Sequence, residues 1–159
     1  MISCDMICNL NNLPEVSKPS GVKLVRAFPG DKDILMNFMK EHFGINWAYE
    51  AEKAIMSSDV GKCFAAVRDG KVIGVACYDS SARGYFGPIG VLESERGTGV
   101  GKALMLRTMH AMYEYGYSWA IIGWVDSAED FYRKAVNAQY IPGGEPEKTV
   151  YQNIIRKLD

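Results

Sequence analysis

The sequence predicts a mixed α/β (α+β) domain with one sheet covered by helices on both sides. Three observations predict it. The runs Cys63–Arg68 and Lys71–Tyr78 flank Asp69-Gly70, a pair that supplies the positive φ angles of a two-residue hairpin turn. Both runs are apolar on both faces, as strands of a covered sheet are. From Val100 to about Tyr115 apolar residues recur at helical spacing, directly after a glycine-rich turn.

The elements follow in order. Residues 1–21 carry Asn9, Asn11, Asn12, Pro14, Pro19 and Gly21 and read as an N-terminal arm, with Met6–Leu10 as an added edge strand. Val22–Phe28 is a strand ending at Pro29-Gly30. Asp31 then caps a helix bearing Ile34, Leu35, Phe38, Met39 and His42 at helical spacing. Gly44 stops that helix, and Trp47–Ser57 forms the next. After the hairpin, Tyr85–Glu93 is a strand, but Pro88 cannot donate a ladder hydrogen bond and Gly87 and Gly90 flank it, so a bulge or a gap in pairing is expected there. In the following helix Val100, Leu104, Met105, Thr108, Met109, Ala111, Met112 and Tyr115 form the core arc, and His110 falls among solvated polar residues. Gly116 ends it. Trp119–Val125 is a strand, and Ala128–Asn137 a short helix with Asp126 or Ser127 available to cap it. Tyr140–Ile141 starts a strand before the turn Pro142–Pro146, and Val150–Leu158 closes the chain. Residues 22–159 thus form a single domain.

Composition excludes several classes. The chain has 159 residues, 48% of them hydrophobic and 23% charged, with a formal net charge of −1. That is ordinary for one globular domain and too little positive charge to neutralise several nucleic-acid phosphates. No apolar run approaches the roughly 20 residues that span a bilayer, and Met1–Leu10 lacks a basic n-region and carries Asp5. Cys63 and Cys77 lie in apolar strands. Cys4 and Cys8 have no second Cys or His pair at ligand spacing, so no metal site is expected. A reducing cytoplasm is the simplest setting.

The run Arg96-Gly97-Thr98-Gly99-Val100-Gly101-Lys102 carries the chemistry. Glycines at a strand-to-helix turn admit a ligand close to the backbone, and the N–H groups of the helix start favour a phosphate. A P-loop is excluded, because Arg96 and Ala103 stand where it needs a glycine and a hydroxyl. The dinucleotide fingerprint is excluded by Lys102 at its third glycine.

What remains, Arg-x-x-Gly-x-Gly from Arg96 through Gly99 to Gly101, resembles the acyl-CoA pyrophosphate loop of the GNAT acetyltransferase superfamily. Val91, five residues before Arg96, resembles the end of that family's fourth strand, and Phe131-Tyr132-Arg133-Lys134 resembles its Phe-Tyr-x-Lys helix. The likeness runs from about Val22 to Leu158. It implies a mostly antiparallel sheet whose fourth and fifth strands splay, with the pantetheine arm of acetyl-CoA between them. It implies cofactor contacts at Gly90, Val91, Leu92, Arg96, Gly97, Thr98, Gly99, Val100, Gly101, Lys102 and Tyr132. Gly123, in the middle of the fifth strand, would keep the facing wall low.

The resemblance further implies N-acetyl transfer to a primary amine by direct attack in a ternary complex, with a small molecule as the acceptor. A protein or peptide terminus is the alternative within enzymes, and a catalytically weak acyl-CoA-binding regulatory module the alternative outside them. Tyr132 takes the position of the general acid. A backbone N–H near Val91 would meet the oxyanion. The strand carboxylate that many members carry is absent, which leaves Glu93 and Asp126, with Asp79 further off, as weak candidates for the base. His42, Trp47, Tyr49, Glu50, Tyr78 and the loop around Pro142–Pro146 are candidate acceptor linings. Dimers are common in the resembled family, but nothing in the sequence encodes a symmetry.

Overall fold

A computed structural model describes residues 3–146, 148 and 155. Among the described residues, seven strands form one sheet: β1 (Cys4–Asn9), β2 (Val22–Arg26), β3 (Cys63–Arg68), β4 (Lys71–Tyr78), β5 (Tyr85–Val91), β6 (Trp119–Val125) and β7 (Gln139–Tyr140). Their spatial order is β2-β3-β4-β5-β6-β1-β7. Every pair is antiparallel except β5 with β6, which is parallel. Four helices of the described residues cover it: α1 (Lys32–Phe43), α2 (Ile45–Ile55), α3 (Val100–Tyr115) and α4 (Glu129–Val136). The mixed, mostly antiparallel sheet flanked by helices is the predicted fold class.

The two faces hold two cores. On one, α3 and α4 bury Leu104, Met105, Met109, Met112 and Tyr132 against Phe64, Phe86 and Ile122. On the other, α1 and α2 bury Leu35, Phe38, Met39 and Ile55 against Val75 and Cys77. Each fully buried side chain of this size contributes about 1.5–3 kcal/mol. All four cysteines are free and buried. The hairpin forms as expected, with Asp69 at φ 51° and Gly70 at φ 75°. Gly44, at φ 101°, is both the last cap of α1 and the first of α2, so the two helices meet at a corner without a loop.

Several expectations need correction. The N-terminal strand is not an edge. It starts at Cys4 and lies between β6 and β7, where Met6 and Cys8 join the core. The rest of the arm lies against the fold, with Leu13 and Val16 packed on the α3 side. His110 is half-buried there, its Nε2 2.8 Å from the Pro14 carbonyl, rather than solvated. Asp31 does not cap α1 with its side chain; its carboxylate accepts the Phe28 N–H at 2.8 Å. Ile34 and Tyr115 are exposed. The cap of α4 is Ala128, not Asp126 or Ser127. The expected closing strand Val150–Leu158 lies outside the described residues, except for Ile155, which is in a bend.

Candidate active site

The sheet is held together across β5 and β6 at two positions only, Tyr85 with Ile121 and Phe86 with Ile122. Beyond them the strands diverge, and each carries a bulge at the point of divergence. On β5, Gly87 and Pro88 together oppose Cys77, between the pairs Ala76–Ile89 and Tyr78–Phe86. On β6, Gly123 and Trp124 together oppose Asp5, between the pairs Cys4–Val125 and Met6–Ile122. Bulges bend and twist a strand away from its neighbour. The result is a cleft of about 780 Å³ lined by β5 from Phe86 to Val91, β6 from Ile122 to Val125, the glycine turn and the start of α4. The gap expected near Pro88 is therefore present.

Strand geometry decides which backbone groups of β5 face this cleft. Leu92 donates its N–H to the Ile73 carbonyl of β4 at 2.9 Å. Backbone groups alternate sides along a strand, so Leu92 and Gly90 point at β4, and Val91 and Ile89 point at the cleft. Of the predicted donor-site residues, Gly90, Val91, Arg96, Gly97, Gly99, Gly101, Lys102 and Tyr132 line the cleft, whereas Leu92, Thr98 and Val100 do not. The reasons are local. Val100 is fully buried, the Leu92 amide is already bonded, and the Thr98 hydroxyl donates to the Glu95 carbonyl at 2.6 Å.

At the glycine end the chain leaves β5 through a 3-10 turn, Glu93–Glu95. Arg68 holds that turn to β3 by a two-pronged contact with Glu95, both bonds at 3.2 Å. Gly97 and Gly99 then take φ of 76° and 91°, values open to glycine and costly for other residues. α3 begins at Val100, and the N–H groups of its first turn have no partner within the helix. A Cβ at Gly97 would meet nothing within 4 Å, and one at Gly101 only the Val91 and Phe131 side chains at 3.7 and 4.0 Å. Space, exposed donors and the cations Arg96 and Lys102 converge here, which fits a pyrophosphate.

At the other end Tyr132, 6% exposed, packs edge-on against Phe86 at 6.2 Å and Phe131 at 5.2 Å. Burial, and then the neighbouring Cys8, push its phenol well above the ordinary 10.0, so it keeps its proton throughout the neutral range. Among the weak base candidates, Asp126 lines the cleft and is exposed. Glu93 is exposed in the 3-10 turn and is not part of the lining. Asp79 is committed elsewhere: it accepts the Tyr117 hydroxyl at 2.8 Å and the Gly84 N–H at 2.8 Å, and pairs with Lys62 at 3.1 Å.

The candidate acceptor linings lie in different surroundings. Tyr78 is fully buried and belongs to the core beneath α3. Tyr49 and His42 are exposed, and Glu50 accepts the Ser81 hydroxyl at 2.6 Å. The loop after Ile141 packs on β1 through bonds between Asp5 and both Gly144 and Ile141. Of these, Trp47 alone reaches the cleft, together with the rings of Phe43, Phe86, Trp124 and Phe131, which sequence reasoning did not assign to it. Phe43 stacks on Trp47 at 5.4 Å, and its ring lies on Gly90, where a Cβ would stand 2.5 Å from Cε2. Trp124 is at φ 52°, a left-handed conformation that a bulky residue rarely takes. It is held there by Asp5, 1% exposed, which accepts the Trp124 N–H at 2.9 Å. Gly90 and Gly123, which leave room beside the strands, were the one available signal.

A family profile described as "Acetyltransferase (GNAT) family" matches residues 32–137. Among solved structures, a GCN5-related N-acetyltransferase from Sphaerobacter thermophilus superposes with a TM-score of 0.71 at 20% identity, over 88% of this chain and 48% of that one. A GCN5-related glucosamine N-acetyltransferase region of a fungal multi-domain GH3 beta-N-acetylglucosaminidase gives 0.69 at 17% identity, over 89% and 20%. A GNAT family acetyltransferase from Brucella melitensis, solved in complex with acetyl-CoA, gives 0.58 at 16%, over 79% and 94%. At these identities the likeness is one of fold, and the chain spans about half or less of the first two. A comparison with curated proteins gives no match. Among the described residues no helix is long and apolar enough to cross a membrane. The profile covers more than half of the chain, and with the splayed strands and the glycine turn it places the protein in the GNAT acetyltransferase family, whose acyl donor is acetyl-CoA.

Proposed function

We propose that this protein is an N-acetyltransferase that moves the acetyl group of acetyl-CoA to a primary amine of a small molecule, by direct attack in a ternary complex. The observation that carries the reading is the cleft between β5 and β6, with a glycine turn at one end and a buried, protonated tyrosine lining it.

The chain's own groups divide the work. Backbone N–H groups of Gly97, Gly99, Gly101 and Lys102 hold the pyrophosphate, with Arg96 and Lys102 adding charge. Val91 and Ile89 offer N–H and C=O groups to the pantetheine arm, and one of these N–H groups meets the charge that develops on the carbonyl oxygen. Bound acetyl-CoA supplies a thioester, whose carbonyl carbon takes the amine lone pair as the C–S bond breaks. Tyr132 gives its proton to the departing sulfur and recovers one from solvent. Asp126, an acid of the cleft lining, accepts the proton that the amine loses, directly or through water. The rings of Phe43, Trp47 and Trp124 exclude water and so protect the thioester from hydrolysis.

A small acceptor is favoured by the walled, aromatic form of the cleft, and the fungal relative named for glucosamine acetylation acts on such a molecule. A reducing cytoplasm suits four buried free thiols. One observation favours a second reading, a binding module with little catalysis: β5 and β6 carry no carboxylate. A thiol-release assay across a panel of small amines and peptide termini separates the readings. Turnover with a small amine is expected. Turnover with peptides alone would move the acceptor to proteins, and tight acetyl-CoA binding without turnover on any amine would leave the binding module.

A further inference from the structure

We propose that Phe43, seated on Gly90 and backed by Trp47, is the stop that limits the acyl chain of the donor to acetyl. The inference rests on the cleft between β5 and β6 holding an acyl-CoA. It adds the residue that selects among donors.

The position follows from the two ends of the cleft. With the pyrophosphate at Gly97–Gly101, an arm that bonds the cleft-facing groups of Val91 and Ile89 runs along β5 toward its bulge at Gly87–Pro88. Its acyl end then arrives beside Gly90, where the Phe43 ring lies across the strand. A Cβ placed on Gly90 would be 2.5 Å from Cε2 and 2.7 Å from Cζ of that ring, so the glycine is what lets the ring descend onto the backbone. Phe43 and Gly90 both line the cleft.

The stop is stiff. Phe43 is the last residue of α1, and Gly44 at φ 101° turns the chain at once into α2. The sharp corner brings Phe43 over Trp47, with ring centroids 5.4 Å apart and planes within 25°. Phe38, 8% exposed in the α1 core, stands behind at 5.9 Å. The Phe43 ring cannot swing aside without moving Trp47 or entering that core, and interiors resist added volume. An acetyl methyl fits against such a face. Each further methylene must displace a ring, and an acyl chain ending in a carboxylate would set a charge against two aromatic faces.

Binding of CoA, acetyl-, propionyl-, butyryl- and hexanoyl-CoA, measured by calorimetry, tests the proposal without needing an acceptor. The wild-type protein should bind CoA and acetyl-CoA within about threefold of each other and butyryl-CoA at least about tenfold more weakly, a gap of about 1.4 kcal/mol. In Phe43→Ala that gap should close to about threefold, each affinity being compared with that of CoA for the same variant. Phe43→Leu, which keeps a core-sized apolar side chain in case the alanine variant fails to fold, should narrow the gap for propionyl-CoA first. Two results would overturn the proposal: wild-type affinity independent of chain length, or a folded Phe43 variant that binds CoA yet keeps the tenfold gap. Failure of the wild-type protein to bind CoA at all would instead remove the acyl-CoA reading of the cleft, and the stop with it.

Discussion

The two ends of the cleft are built from different materials. The glycine end is backbone: left-handed glycines, the open first turn of α3 and a turn pinned by Arg68 to Glu95. The acyl end is side chains: Phe43 on Gly90, Trp47 behind it, Trp124 on a strained bulge and Tyr132 under Phe86. Backbone amides recognise a phosphate whatever is attached to it. Packed rings recognise shape, and a single methylene is felt. The first end therefore fixes the class of donor, and the second fixes which acyl group and which acceptor are handled.

The sharpest test of that division is Gly101→Glu. The residue lines the cleft in helical conformation with only ordinary contacts around a new Cβ, and an acid in the first turn of a helix is favourable to folding. The variant should melt at or above the wild-type temperature and lose acetyl-CoA binding by more than about a hundredfold, seen by calorimetry. Gly99 is a poorer target, because at φ 91° any side chain is strained.

Tyr132→Phe comes next and works at the other end. Loss of a general acid costs about 10²-fold or more in turnover. Steady-state kinetics should show that loss in kcat with the acetyl-CoA affinity nearly unchanged. The sign of the pH dependence is also set. The folded phenol is raised above 10.0, so the wild-type rate should not fall between pH 8 and 10 through loss of this proton. A kcat decline in that range which disappears in Tyr132→Phe would keep the phenol as acid but contradict its raised pKa, whereas a turnover in Tyr132→Phe equal to wild type would remove the phenol from the mechanism.

Asp5→Ala bears on how the acyl end is supported. Removing a buried charged acceptor from the Trp124 N–H costs about 1.5–3 kcal/mol, read as a lower melting temperature, and should also raise KM as the wall of β6 relaxes. Asp5→Asn, which keeps a carbonyl oxygen, should recover part of both. The smallest effect is expected for Glu93→Gln. The residue is exposed and outside the cleft lining, and its turnover should stay within about twofold of wild type.

The same division explains what could be read from the sequence. The hairpin at Asp69-Gly70, the break at Pro88 and the Arg96–Lys102 turn were legible because a few adjacent residues dictate each one. Helix α3 was legible through its period, although Tyr115 ends outside the core. Leu92 came to the cofactor through the family resemblance, and alternation along β5 turns its amide to Ile73. The N-terminal strand was misjudged as an edge because its partners on β6 are more than a hundred residues away, as the Asp5–Trp124 bond at a separation of 119 shows. Phe43 carried no local signal either, since only the folded chain brings the end of α1 onto Gly90.

The measurement that tests the central claim most directly is the melting temperature of the wild-type protein titrated with acetyl-CoA. At a hundred times the dissociation constant, a ligand bound in the cleft stabilises by about 2.7 kcal/mol, which for a chain of this size is roughly 5–10 °C. A saturable rise of that order, absent in Gly101→Glu, is the expected result. A melting temperature that does not move at saturating acetyl-CoA would contradict the assignment of the cleft to the donor.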